Sequence, residues 1–251
     1  MKQHLINVYI FLIFTSGSIF SQVTSEQIHY GASSLSMAAS DIALPKTSWS
    51  AFVNSAGIVD QQGLTFVASS QSHFSQDFLS HSLFGVQFKN SKYGSFGISF
   101  ENSSVDYSGN NLAAETAIGI HQGISLRSDR NSSFSFGYGL KSYTVDYGSS
   151  AGPSGDGSDG IELGSLNAFG LDVSFLGSLG KRIKVGAKAL NINSPTLGNA
   201  NLATRLPQRS QIGLAYSPYD LVWTTAALNK SVGHPTNFSS GFSYEVQQNI
   251  F

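Results

Sequence analysis

The chain has 251 residues, which is enough for one large domain, and no cysteine, which excludes disulfides, thiolate metal sites and a lipidated cysteine anchor. The formal net charge is -1 and there is no run of lysine or arginine, so nucleic-acid binding is not expected. Charged residues make up only 12% of the chain, whereas Gly 26, Phe 18 and Tyr 10 are abundant, a balance that suits a β-sheet with one apolar face.

Residues 1–21 have the pattern of a secretory signal peptide. Lys2 supplies the positive end, residues 5–14 the apolar core, and residues 16–21 a stretch of small side chains. The apolar core is too short for a spanning helix, and no later window approaches the roughly 18 apolar residues that such a helix needs. We therefore expect an exported chain, cleaved between Ser21 and Gln22.

Residues 22–62, the N-terminal segment, are not strand-like. Residues 32–43 are rich in alanine and serine and favour a short helix or a packed irregular structure, while residues 47–58 indicate a tight turn before the first strand. We predict that this segment folds back as a plug, with Asn54 capping the turn. The predicted plug or gating residues are Met37, Ile42, Trp49, Asn54 and Gly57.

From residue 63 onwards the sequence alternates with the period of β-strands. The clearest part is 82–100, where Phe84, Val86 and Phe88 alternate with small or polar residues on both sides. The same alternation recurs along nearly the whole remaining chain. The predicted strands are 63–70, 81–89, 94–101, 116–127, 133–146, 167–176, 182–191, 210–217, 221–228 and 238–246.

Each predicted strand has one apolar face and one small or polar face. Phe136 is predicted to lie on the apolar face and Gly137 on the other, where a serine should be tolerated. A slip of one residue would bring lysines onto the apolar face, so the register is well specified. The residues predicted to face the lumen of a barrel are Gln87, Glu101, Lys141, Asp172, Lys184 and Lys188.

The connections between predicted strands alternate in length. Short ones lie near 91, 128–131, 177–181 and 217–220, and longer ones at 70–80, 102–115, 148–165 and 193–208. Outer-membrane barrels have short periplasmic turns and longer external loops. We therefore predict an all-β, antiparallel transmembrane β-barrel over residues 63–251, located in the outer membrane with its lipid as partner. A secreted soluble β-sandwich that acts as a binding module is the alternative.

The N-terminal segment resembles a known family. Residues 31–39, Gly-Ala-Ser-Ser-Leu-Ser-Met-Ala-Ala, followed by 49–58, look like the N-terminal signature of the PorV/PorQ-type (FadL-like) outer-membrane barrels of Bacteroidetes and relatives. Residues 190–193 and 206–207 before 212–216 are similar to middle strands of the same family. Here alanines follow Met37 where glycines are usual, and Ser55 replaces the usual proline.

The resemblance implies a plugged barrel of about fourteen strands and an accessory role in protein export by the type IX secretion system. Secretion-system proteins or exported proteins are the partners that it implies. This chain shows about ten strands. If the last strand continued to Phe251, that residue would lie on the strand's polar face. We therefore expect a sequence truncated within a longer barrel. The alternative is a closed ten-stranded barrel with a narrow lumen filled by side chains.

The sequence gives only weak signals of catalytic or metal-binding residues. His81 and His121 lie on the polar parity, so a Ser–His pair remains an open alternative, but serine is abundant and such pairs arise by coincidence. Asp156, Asp159 and Glu162 lack the full pattern of a calcium loop. We predict no enzyme activity, no cofactor and no metal. A FadL-like channel for hydrophobic small molecules is the alternative to an export role, and a polar lumen favours export.

Overall fold

The structure is a computed structural model, and it describes residues 30–44, 46–72, 78–90, 92–107, 110–150, 152–155, 158–198 and 204–245, without the side chains of 107 and 110. The predicted signal peptide, its cleavage site and the terminal Phe251 lie outside the described residues.

Ten antiparallel strands form one sheet, in which each strand pairs with its neighbours in chain order. The predicted all-β fold with ten antiparallel strands is therefore confirmed. A separate two-residue pair, β8 with β9, lies in the connection between β7 and β10. The strands are β1 Leu64–Ser72, β2 Leu79–Asn90, β3 Gly94–Tyr107, β4 Asn110–Ser128, β5 Ser132–Asp146, β6 Ser165–Leu179, β7 Ile183–Leu190, β8 Thr196–Leu197, β9 Thr204–Arg205, β10 Arg209–Tyr216, β11 Val222–Ser231 and β12 Asn237–Tyr244.

The two faces of the sheet follow the alternation of the sequence, because successive side chains of a strand point to opposite sides. On the outer face, Ile120 is 61% exposed and Phe169 is 70% exposed. On the inner face, Glu101 is 1% exposed and Lys141 is 4% exposed. The large apolar side chains thus lie outside, while the charged ones are buried inside.

The N-terminal segment crosses the inner face of the sheet. It contains helix α1 (Gly31–Ser36), a 3₁₀ turn (Asp41–Ala43), helix α2 (Ser50–Val53) and a second 3₁₀ turn (Ser55–Asp60). The second 3₁₀ turn contacts β2 to β6, and the first contacts β7, β10 and β11. The sheet therefore curls around the segment, and its inner apolar core joins the two through the side chains of Tyr30, Ala51, Phe52, Val53, Ile58 and Leu83.

The sheet is not closed into a barrel. Its edge strands are β1 and β12, and no pairing joins them within the described ranges. The alternative of a closed ten-stranded barrel is therefore wrong for the structure as described. The N-terminal segment lies against both edge strands: α1 contacts β1, and Met37, directly after α1, packs against Gly241 of β12. The helix thus lies between the two edges.

The predicted loop at 102–115 is also wrong, because β3 runs to Tyr107 and β4 begins at Asn110. Polar pairs continue the ladder there: the Asn102 amide donates to the Thr116 hydroxyl at 2.9 Å. Strand pairing depends on backbone hydrogen bonds and does not require an apolar face. The prediction from sequence used only the apolar alternation, which stops at this point. The four predicted short turns are present, between β2 and β3, β4 and β5, β6 and β7, and β10 and β11.

None of the helices in the described part of the chain has the length and apolar character that crossing a membrane requires.

Candidate functional site: the polar interior

Three charged side chains from three strands meet on the inner face. The Lys141 ammonium of β5 donates to Glu101 Oε1 of β3 at 3.0 Å and lies 4.0 Å from Asp172 Oδ2 of β6. All three side chains are buried, so the attraction is screened much less than it would be in water. We call Glu101, Lys141 and Asp172 the ion cluster.

The ion cluster continues into a polar surround. Asp172 Oδ1 accepts a hydrogen bond from the backbone N–H of Asn191 at 2.9 Å. The Lys188 ammonium lies 5.3 Å from the centre of the Tyr30 ring, within the range of a cation–π contact. Burial, with Glu101 as the next cause, raises the pKa of Tyr30 to about 12. Asp172 and Lys188 thus each have a polar or aromatic group beside them in the interior.

Hydrogen bonds from the strands hold the N-terminal segment in place. The Gln87 side chain accepts from the Ala51 N–H at 3.1 Å and donates to the Ser48 carbonyl at 2.9 Å. The Ser174 hydroxyl accepts from the Ala56 N–H at 3.0 Å. Further along, the Ser40 and Thr225 hydroxyls are 2.6 Å apart. The bonds of Gln87 and Ser174 satisfy backbone groups of the segment inside the sheet, and the Ser40–Thr225 bond joins two side chains.

Asn54 is the centre of the segment's own fold. Its side-chain oxygen accepts from the Ala56 N–H at 3.1 Å and so caps the second 3₁₀ turn. Its side-chain amide donates to the carbonyls of Ile42 at 2.9 Å and Phe175 at 3.1 Å. One buried side chain therefore joins the two halves of the segment to each other and to β6.

Glycines mark the path of the segment across the sheet. At each of these positions a Cβ would come within about 3 Å of an atom of the N-terminal segment, a close approach that a larger residue would prevent. At Gly137 and Gly186 the atoms approached belong to the segment's backbone, which cannot move aside easily. This glycine track consists of Gly85, Gly97, Gly123, Gly137, Gly186, Gly213 and Gly241.

A Ser–His arrangement does form inside the sheet. His121 Nε2 lies 2.8 Å from the Ser99 hydroxyl, and its Nδ1 lies 3.1 Å from the Ser55 hydroxyl. Both ring nitrogens are thus used by hydroxyls, and His121 is 2% exposed. The adjoining cavity measures about 10 Å³, which has room for about one water molecule. The arrangement is suited to tying the segment to β3 and β4 rather than to receiving a substrate.

The connection between β7 and β10 covers the other end of the interior. Its Leu197 and Leu206 are buried against Tyr143 and Ala168 of the sheet. The ion cluster is therefore enclosed between this connection and the N-terminal segment. Sequence reasoning missed this cover, although the leucines of this largely polar connection were a signal of it.

The structure brings only part of the predicted lumen set together. Gln87 binds the segment's backbone, and the Lys184 ammonium pairs with Asp60 at 2.8 Å at the short-turn end. Lys188 contacts the segment through the Tyr30 ring, and Asp172 accepts a hydrogen bond from the backbone of Asn191.

The predicted plug residues Met37, Ile42 and Asn54 are buried at 3%, 1% and 3% exposure, Gly57 is buried and Trp49 is half-buried. The tolerance expected of Gly137→Ser is wrong, because the backbone of residues 55–56 occupies the space of a side chain there.

In the described ranges no group of three or more His, Asp or Glu residues could hold a metal ion. Asp156 of the loop considered for calcium lies outside these ranges. The Asp159 carboxylate accepts a hydrogen bond from the Ser154 N–H at 3.1 Å, which accounts for it as part of a loop turn.

Comparison with protein-family models, with curated proteins and with solved structures finds no match to this chain.

Proposed function

We propose that the chain belongs to a plugged outer-membrane β-barrel that acts as an accessory component of protein export rather than as an uptake channel. The observation that carries the membrane part is the inverted polarity of the sheet. Large apolar side chains are exposed outside along the ten strands, while the charged side chains of β3, β5 and β6 are buried inside. An apolar face of this extent is rare on a protein in water and is typical of a lipid-facing barrel wall.

The open edges support a barrel completed by further strands. Helix α1 has 6 residues, hence about 9 Å of length, and it reaches from β1 to the neighbourhood of β12. With side chains on both sides, the gap between the edges is roughly 10–20 Å, which leaves room for about one to three further strands at their usual spacing. An edge without partners is not tolerated in lipid, so the proposed barrel requires further strands between β1 and β12. The PorV/PorQ resemblance implies about fourteen strands, slightly more than this estimate supplies.

The packed interior supports an accessory role over a channel. A channel for hydrophobic molecules needs an apolar passage, and pockets for such ligands have volumes of about 300–1,000 Å³. Beside the ion cluster the cavity is about 10 Å³, and Lys141, Asp172 and Lys188 are among the residues that line it. The link to type IX secretion is supported by the resemblance of residues 31–39 and 49–58 to the family signature.

The location is tested by fractionation. We expect the mature chain in the outer membrane, with a gel mobility that changes on heating because a folded barrel resists detergent. Recovery of the chain as a soluble periplasmic or culture-medium protein would contradict the proposal and favour the secreted module. Such a module would be a sandwich with two packed sheets, whereas the described strands form one large sheet.

The choice between export and uptake is tested by locking the plug. Ser40→Cys with Thr225→Cys places two thiols where hydroxyls lie 2.6 Å apart, in a chain without other cysteines. We expect the oxidised variant to support export as well as its reduced form, because an accessory barrel need not open. Uptake of a hydrophobic solute that stops on oxidation and returns on reduction would establish the gated channel instead. The single variant Ser40→Cys is the matched control.

A further inference from the structure

Exposed cations are concentrated at one end of the sheet. The turns between β2 and β3, β4 and β5, and β6 and β7 each have two cations in or near them, together with one carboxylate, Asp129, which pairs with Arg127 at 2.6 Å. The fourth short turn, between β10 and β11, has no cation and contains Asp220. All six cations are exposed. We call this set the basic rim; it consists of Lys89, Lys92, Arg127, Arg130, Lys181 and Arg182.

The opposite end has the opposite charge. Residues 102–115, which end β3 and begin β4, and the connection 147–164 contain no lysine or arginine in the sequence. Their acidic residues, together with Asp146 at the end of β5, outnumber the cations Arg205, Arg209 and Lys230 at this end. The described acidic residues here are Asp106, Glu115, Asp146, Asp159 and Glu162. The charge separation runs along the strands, so it distinguishes the two sides of a layer that the strands would cross.

The basic rim borders the exposed apolar face. Arg127 pairs in the ladder with Phe134, which is 43% exposed on the outer side. Leu179 is 69% exposed and directly precedes the β6–β7 turn with its two cations. The Lys92 ammonium lies 5.1 Å from the centre of the Tyr93 ring, and Tyr93 is 61% exposed. An apolar surface bordered by tyrosine and then by cations is the order found at a membrane–water interface.

We propose that the basic rim binds the anionic headgroups of phospholipids in the leaflet on the short-turn side. This inference rests on the proposed membrane location. Successive turns of the rim are separated by two strand spacings, roughly 10 Å, so the charges follow the curve of the sheet instead of forming one compact patch. Lipids surround a protein along such a curve, whereas a single acidic protein partner would be met by a compact patch. The cations attract anionic headgroups, and this attraction weakens as the salt concentration rises.

The test compares two spin-labelled lipids at the surface of the reconstituted full chain. Electron paramagnetic resonance gives the association of labelled phosphatidylglycerol relative to labelled phosphatidylcholine. We expect phosphatidylglycerol to be favoured by up to roughly fivefold beside each cation at low salt, with the preference lost at high salt. The variant Lys89→Gln, Arg130→Gln, Lys181→Gln removes one cation from each turn and should lose most of the preference.

A matched control removes the two exposed cations near the opposite end, Arg205→Gln with Lys230→Gln, and should leave the preference unchanged. Folding of every variant is checked by heat-dependent gel mobility. Equal association of the two lipids with an inserted wild-type chain would overturn the headgroup site alone and assign the rim to an acidic protein partner. An equal loss in the control would also overturn it. Failure of the wild type to insert at all would overturn the proposed function together with this inference.

Discussion

The inner and outer faces of the same ten strands are stabilised in different ways. The inner face carries glycines, hydroxyls and a buried ion cluster fitted to the N-terminal segment, while the outer face carries exposed Ile, Leu and Phe side chains with few specific contacts. Changes on the inner face should therefore act through geometry and charge balance. The effect of a substitution on the outer face should depend on whether that face meets lipid or water. This difference makes the two faces separable by mutation.

The largest effect is expected in the ion cluster. Lys141→Met leaves Glu101 and Asp172 buried without their cation, which should lower the free energy of unfolding by roughly 3–5 kcal/mol. The measurement is denaturant unfolding of the reconstituted chain. The triple variant Lys141→Met, Glu101→Gln, Asp172→Asn should recover most of the loss, since no charge is then uncompensated. A triple variant as unstable as the single one would show that lysine packing, not charge, matters.

The next largest effect is expected on the outer face. Ile120→Arg should lower the free energy of unfolding by ~2–4 kcal/mol if the side chain lies in the middle of a bilayer. On a surface in water, an exposed isoleucine can be exchanged at a cost of about 0.5 kcal/mol or less. Ile120→Leu is the matched control and should be nearly neutral in both cases. An arginine variant as stable as the leucine variant would place this face in water.

Two glycines, Gly137 on the inner face and Gly177 on the outer face, sharpen the comparison. Gly137→Ala should cost about 1–3 kcal/mol, because its Cβ meets the backbone of the N-terminal segment. Gly177→Ala, with its nearest atom at 3.8 Å, should have little effect. Thermal unfolding of the two variants measures the difference. Equal stabilities would mean that the segment does not rest on β5 as described.

The smallest effect is expected at the cap. Asn54→Ala removes one of the two acceptors of the Ala56 N–H, the other being the Ser174 hydroxyl. It also removes the amide that donates to Ile42 and Phe175, and should cost about 1–2 kcal/mol in unfolding experiments. Asn111→Ala, which removes an exposed amide at the long-loop end, is the control and should stay within about 0.5 kcal/mol of wild type. A neutral Asn54→Ala would show that water replaces the cap.

The sequence predicted the strands well because their alternation has a physical cause that is local to each strand. Segments such as β5 and β10 alternate between small or polar and large apolar residues, and the structure has them as antiparallel neighbours of the strands predicted beside them. The curl of the sheet and its open edges depend on non-local contacts with α1, which alternation does not contain. Polar strand segments such as the end of β3 were missed for a related reason, because they show no alternation of apolar residues in the sequence.

The candidate site was predictable only in its components. Glu101, Lys141 and Asp172 could be assigned to one face by parity, but parity does not say which of six polar residues meet. The glycines of the track were visible on the same parity as well. Their meaning required the path of the N-terminal segment, which links residues more than 80 positions apart, such as Ala56 and Gly137.

The central claim is that the outer face meets lipid, and spin labels test it most directly. Because the chain has no native cysteine, single labels can be placed at Ile120→Cys, Leu140→Cys and Leu214→Cys, all of them exposed outer-face positions. In reconstituted bilayers we predict that each label collides readily with dissolved oxygen, which concentrates in lipid, and rarely with a water-soluble nickel complex. Labels that collide mainly with the nickel complex would show an outer face in water and contradict the account.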